Sequence, residues 1–247
     1  MKIKSLLFCS CFLAVMTAKA QNWGGGIDDT DLHFGFTFQY ISSEYKILKR
    51  PYWRSAFPDP ERSSDIPDSL RSISSAGSPG FGIGFVVNQR INDNMDLRLT
   101  PGLVFNDRIS RYDFEDGTFA GLPFERKTQT TVVELPLSLK LKSNRRNNFR
   151  AYMMGGAKLS TDISSKKKSD NSLVTDPMEK FLNNRRNFFS YEGGIGFDLY
   201  FEYFKMSPEI KLSYSMKSVL KDEAPHIYSY PIDKLMLRHV TFSLFFE

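Results

Sequence analysis

Apolar residues recur along this chain at every second position, in eight separate segments. The clearest runs through Met95-Asp96-Leu97-Arg98-Leu99-Thr100-Pro101-Gly102-Leu103-Val104-Phe105. Met95, Leu97, Leu99, Leu103 and Phe105 share one face, while Asp96, Arg98 and Thr100 share the other. Successive side chains of a strand point to opposite faces, so a period of two predicts strands with one apolar and one polar side. The other segments are predicted at His33–Ile41, Gly80–Asn88, Thr128–Lys142, Phe149–Ser160, Phe188–Tyr200, Phe204–Ser215 and Leu235–Phe246. In the first, Phe34, Phe36, Phe38 and Tyr40 oppose Gly35, Thr37 and Gln39.

The connections alternate in length. Long polar stretches at 42–79, 106–127, 161–187 and 216–234 are separated by short turns near Asp93, at Ser143–Asn148 and near Glu202. An all-β, eight-stranded antiparallel up-and-down transmembrane barrel predicts this order, with short periplasmic turns and long external loops. A soluble sandwich or lipocalin-like barrel shares the alternation but turns its apolar face inward. Two features favour the membrane version. Charges stand near mid-strand on the polar face, and aromatics gather at strand ends, as in the girdles at lipid headgroups.

The first twenty residues read as a cleaved signal peptide. Lys2 and Lys4 precede an apolar run from Leu6 to Met16, and Ala18-Lys19-Ala20 is a small-x-small cleavage site. Phe8 before Cys9 and the short run before Cys11 argue against a lipidated leader. Residues 21–32 are then a short periplasmic segment, and 33–247 the barrel. Both cysteines leave with the leader, which excludes disulfides and thiolate metal sites from the mature chain. Three of its lysines leave too, and the formal charge falls from +5 to +2. The basic pI therefore gives no reason to expect nucleic-acid binding. Mean hydropathy is −0.34. No later apolar run approaches the ~18 residues of a transmembrane helix.

A narrow eight-stranded barrel is filled by its own side chains. The inward charges Asp96, Arg98, Glu134, Lys140, Glu192, Asp198, Glu209 and Lys211 are therefore expected to form a luminal network. The expected pairings are Arg98 with Glu134 or Asp96, and Lys211 with Glu192 or Glu209. The glycine runs at 80–84 and 193–196 lack the strand-turn-helix setting of a nucleotide site and fit a tight lumen better. No cofactor and no metal site is expected. An enzymatic alternative rests on His239 beside Thr241 or Ser243, with Glu209 or Glu192 as orienting acid. That spacing is nonspecific, and the expected class is non-enzymatic. Lys166-Lys167-Lys168 and Arg185-Arg186 stand in one external loop; they read first as a solvated charge run and second as a contact for lipopolysaccharide phosphates.

Three stretches, "LRLTPGL" from Leu97, "ELPL" from Glu134 and "GIGFDLYFEYFKMSPEIKLS" from Gly194, resemble the PorT/SprT family of outer-membrane barrels. "HFGF" at His33 and "AYMMGGAKL" at Ala151 fit the same pattern. The resemblance implies a role in type IX protein secretion and associated gliding motility, with other secretion-system proteins as partners. It carries no catalytic residues with it. Glu247 departs from general outer-membrane practice, where the insertion signal ends on an aromatic.

Overall fold

The computed structural model describes residues 30–57, 69–115, 124–164, 171 and 179–247. The leader, most of 21–32 and the triple lysine at 166–168 lie outside the described residues. Ten strands are present among the described residues: β1 (Leu32–Lys49), β2 (Leu70–Ala76), β3 (Ser78–Asn92), β4 (Met95–Leu99), β5 (Gly102–Phe114), β6 (Phe124–Lys142), β7 (Phe149–Asp162), β8 (Asn187–Tyr200), β9 (Lys205–Ser215) and β10 (Ile232–Phe246). They make eight staves, because β2 and β3 continue one another across Gly77, and β4 and β5 across Thr100-Pro101. Proline has no N–H to give the ladder, so the third stave bends there.

Each stave pairs antiparallel with the next, and β1 pairs with both β3 and β10. The sheet closes on itself. Following partners once around the wall runs Ser42, Val240, Leu212, Gly193, Gly155, Leu139, Leu97, Gln89, Leu32. The path returns to β1 ten residues earlier than it left. A shear of that size on eight strands implies a tilt of about 40° and an interior only wide enough for side chains.

The apolar face points outward. Phe34, Phe36, Phe38, Tyr40, Phe85, Leu137, Ile195, Ile210, Leu212 and Val240 are all exposed, Phe85 at 73%. On β6 the outward apolar positions run from Val133 to Leu141, which at the strand rise and tilt stands roughly 20–25 Å tall. This matches the lipid belt of an outer-membrane barrel and not the core of a soluble one.

The strands are longer than the sequence pattern predicts, and nearly all of the excess lies at the long-loop end. β1 continues to Lys49 rather than Ile41, β5 to Phe114 rather than Phe105, and the second stave begins at Leu70 rather than Gly80. β6 begins at Phe124 and β10 at Ile232. The cause is a reversal of phase. Above Tyr40 on β1, the outward positions become Glu44 and Lys46, and the inward ones become Tyr45 and Ile47. On β5, Arg111 and Asp113 face out while Tyr112 and Phe114 are buried. The lower wall is lipid-facing, and the upper wall is built like a soluble barrel.

That upper part encloses an apolar core. Tyr45, Leu70, Ile73, Tyr112, Phe114, Phe188, Leu235 and Leu237 from the wall pack with Phe57, Leu182, Val219, Ile227 and Tyr228 from the connections. The long connections fold inward over the mouth. Tyr228 is the centre. Its carbonyl accepts from Tyr112 Oη at 2.9 Å, its hydroxyl accepts from Arg126 Nη2 at 3.1 Å, and its ring stacks parallel to Phe124.

Candidate functional site

Beneath the apolar cap, the lumen is occupied by charged side chains. Alternation sends even-numbered residues of β4, β6 and β8 and odd-numbered residues of β9 inward, which fixes where each carboxylate and cation stands. All eight charged residues singled out from the sequence are buried in the ring; Arg98 is 2% exposed and Lys140 1%. The water that would solvate them is excluded, so each charge must find a partner.

The lower network is contiguous. Arg98 Nη1 donates to Glu209 Oε2 at 3.1 Å, and its Nη2 lies 3.5 Å from Glu247 Oε1. Glu247 binds Lys205 at 2.5 Å. Lys140 donates to both oxygens of Asp198, at 2.7 and 2.9 Å, and Ser207 donates to the same carboxylate at 2.6 Å. Asp96 accepts from Lys142 at 2.5 Å and from Asn88 at 3.2 Å. Tyr152 ties the layer together. Its hydroxyl donates to Glu209 Oε2 at 2.9 Å, and its ring lies beneath the Lys140 ammonium at 3.8 Å. Gly196 makes room for it, since a Cβ there would sit 2.5 Å from Tyr152 Oη.

Higher up, Lys211 meets Glu192 at 3.4 Å and Ser138 donates to the same carboxylate at 3.3 Å. Lys158 donates to Glu134 at 2.8 Å. His239 Nδ1 is 3.5 Å from Lys158 Nζ, and its Nε2 has no hydrogen-bond partner.

Two expectations need correction. Arg98 pairs with neither Glu134 nor Asp96. Lys158 takes Glu134, Lys142 and Asn88 take Asp96, and Arg98 reaches across the lumen from the third stave to Glu209 on β9. In so narrow a barrel a long side chain meets the opposite wall as readily as its neighbours. His239 likewise meets a lysine rather than Glu209 or Glu192. Thr241 and Ser243 follow it along the same inward face, and no nucleophile–base–acid chain forms around it among the described residues.

Sequence reasoning missed Lys142, Lys158, Arg108, Tyr152 and Glu247, and it left Lys205, which alternation turns inward, out of the network. Lys142 and Lys205 stand at strand ends, Lys158 is on the stave with the weakest alternation, and Arg108 falls where a loop is expected. Glu247 follows β10, and its side chain is fully buried between Arg98 and Lys205. Outside the wall, Lys127–Asp107, Arg111–Glu125 and Arg238–Glu44 form exposed pairs at the upper rim of the belt.

Residues 21–221 match the family model for the outer membrane protein beta-barrel domain. No curated protein matches the chain in sequence. Among solved structures it is similar to the outer membrane protein OprG from Pseudomonas aeruginosa, at 14% identity over 87% of this chain and 93% of that one, with a TM-score of 0.35. It is also similar to Ail, the attachment invasion locus protein of Yersinia pestis, at 10% identity over 88% and 99% of the two chains, with a TM-score of 0.34.

Proposed function

We propose that this chain, which belongs to the outer-membrane β-barrel domain family, is a non-enzymatic accessory or assembly component of the type IX protein secretion system. Family membership places the protein in the outer membrane. The narrower assignment is supported by the three motifs that resemble PorT/SprT barrels, at Leu97–Leu103, Glu134–Leu137 and Gly194–Ser213. The structural observation that carries the accessory role is the occupied lumen. Arg98 spans it to Glu209, and the apolar cap closes the long-loop end. A barrel of this bore, filled in this way, cannot pass folded cargo. It acts through its surface, toward outer-membrane lipid, lipopolysaccharide and other secretion-system proteins. Exposed Arg185 and Arg186 belong to that surface.

Deleting the chain from its host is expected to abolish export of secretion-system cargo and gliding. Normal export in the deletion strain overturns the assignment. The second reading is a generic structural or porin-like barrel, favoured by an interior whose groups mostly neutralise one another. Liposome swelling separates its two forms. No uptake of small sugars is expected, and rapid uptake identifies a porin.

A further inference from the structure

Arg108 is the exception to the pairing in the lumen. Every other fully buried Asp, Glu, Lys or Arg side chain among the described residues has an opposite charge within 4 Å. Arg108 is 2% exposed, has no ion pair, and leaves Nε, Nη1 and Nη2 all without hydrogen-bond acceptors. Its described contacts are the Phe188 ring, at 5.6 Å from the guanidinium carbon, and the Tyr45 hydroxyl. A guanidinium carries five N–H donors in a fixed plane and does not lose its proton in a protein. Leaving it buried and uncompensated is among the costliest arrangements available to a fold.

The surroundings share the deficit. Ser160, which faces Phe188 across the β7–β8 ladder, has a fully buried hydroxyl with no partner. His239 Nε2 is also unpartnered, and that ring feels the positive charges of Arg108, Lys158 and Lys211 together. The carboxylates nearby are occupied: Glu134 by Lys158, Glu192 by Lys211, and Asp162 by the Ser164 amide. The Tyr45 hydroxyl, which Arg108 also influences, accepts from Asn184.

We propose that Arg108, Ser160 and His239 form an internal binding site for a small monovalent inorganic anion, of halide size, between the ionic lumen and the apolar cap. Burial on all sides sets the size limit. Anything as large as a sugar acid would have to displace Tyr45 or Phe188. A single ion set against one edge of the guanidinium accepts from two N–H groups of Arg108, and Ser160 supplies a third donor.

The test uses the full chain folded in detergent micelles. Bromide is titrated against gluconate at constant ionic strength. The unfolding temperature is expected to rise by several degrees in a saturating manner, and a crystal grown in bromide to show an anomalous peak within hydrogen-bonding distance of Arg108. Arg108→Met is expected to abolish the rise, while Lys127→Met on the outer rim keeps it. Equal unfolding temperatures of the wild type in the two salts overturn the proposal. So does bromide found against exterior lysines alone, an adventitious ion only. Should Arg108→Met fail to fold, the wild-type titration and anomalous map still decide.

Discussion

The lower and upper halves of this barrel solve the same problem with opposite chemistry. Below, the interior is ionic and the exterior greasy; above, the interior is Tyr112, Phe114, Leu235 and Leu237 and the exterior is Glu44, Lys46 and Arg111. The wall is one continuous hydrogen-bonded sheet through both. What changes is the solvent outside. Lipid gives no reward for burying apolar groups, so the lower interior is free to hold charges that organise it. Water does give that reward, so the upper interior reverts to an apolar core. The two halves should therefore fail differently.

The largest effect is expected in the lower half. Arg98→Met strands the Glu209 carboxylate in the lumen and removes one of the two cations of Glu247. Breaking a buried pair in this way costs about 3–5 kcal/mol. Urea unfolding of the folded barrel, or loss of its heat-dependent gel shift, measures the change. An unaltered midpoint would show that the lower network contributes no stability.

Tyr228→Ala is expected to cost about 3 kcal/mol, in the range for truncating a buried aromatic. The readout is different. Protease should cut within 216–231 while the gel shift persists, because the lower wall does not depend on the cap. If both halves melt together, they form one cooperative unit.

The border between the halves can be located along a single strand. Val240→Arg places a charge in the belt and is expected to cost about 2–4 kcal/mol, whereas Met236→Arg, also outward but above the belt, costs about 0–1. Equal costs would mean that the phase reversal does not mark the edge of the lipid.

A smaller and pH-dependent effect is confined to the cap. His226 lies in the connection before β10, and burial pulls its pKa down to about 4, opposed in part by Glu223 at 3.7 Å. The unfolded imidazole titrates near 6.5. The unfolded chain therefore binds the extra proton between those values, and the cap's stability is complete above about 6.5 and declines as pH falls toward about 4. Hydrogen-exchange protection of 216–231, taken relative to the intrinsic rate at each pH, should fall over that window in the wild type and not in His226→Asn. The smallest effect belongs to the outer rim. Lys127→Gln removes an exposed pair with Asp107 at 2.7 Å, worth about 0.2–1 kcal/mol and weaker still in salt.

The asymmetry between the halves also explains what was legible in the sequence. One phase of alternation, apolar out, located eight staves and eight luminal charges, because lipid imposes that phase on every strand it touches. The upper half carries the opposite phase. Tyr45, Ile47, Tyr112 and Phe114 therefore read as loop when they are strand. Arg108 was lost for the same reason. The partner of Arg98 was not legible either, since alternation says which way a side chain points and not how far across a closed ring it reaches. The cap depends on Phe57, Leu182 and Tyr228, brought together from three connections with no local pattern.

The position of Glu247 has a consequence for assembly order. Its carboxylate lies just past β10, the stave that seals the cylinder by zipping to β1, and it touches both Arg98 and Lys205. Lys205 already faces Glu247 across the β9–β10 ladder, but until the seam with β1 forms Arg98, on the third stave, lacks this counter-charge. Neutralisation of the barrel floor is thus completed by closure itself, so an open, half-rolled wall is penalised electrostatically and the finished ring is held shut from within.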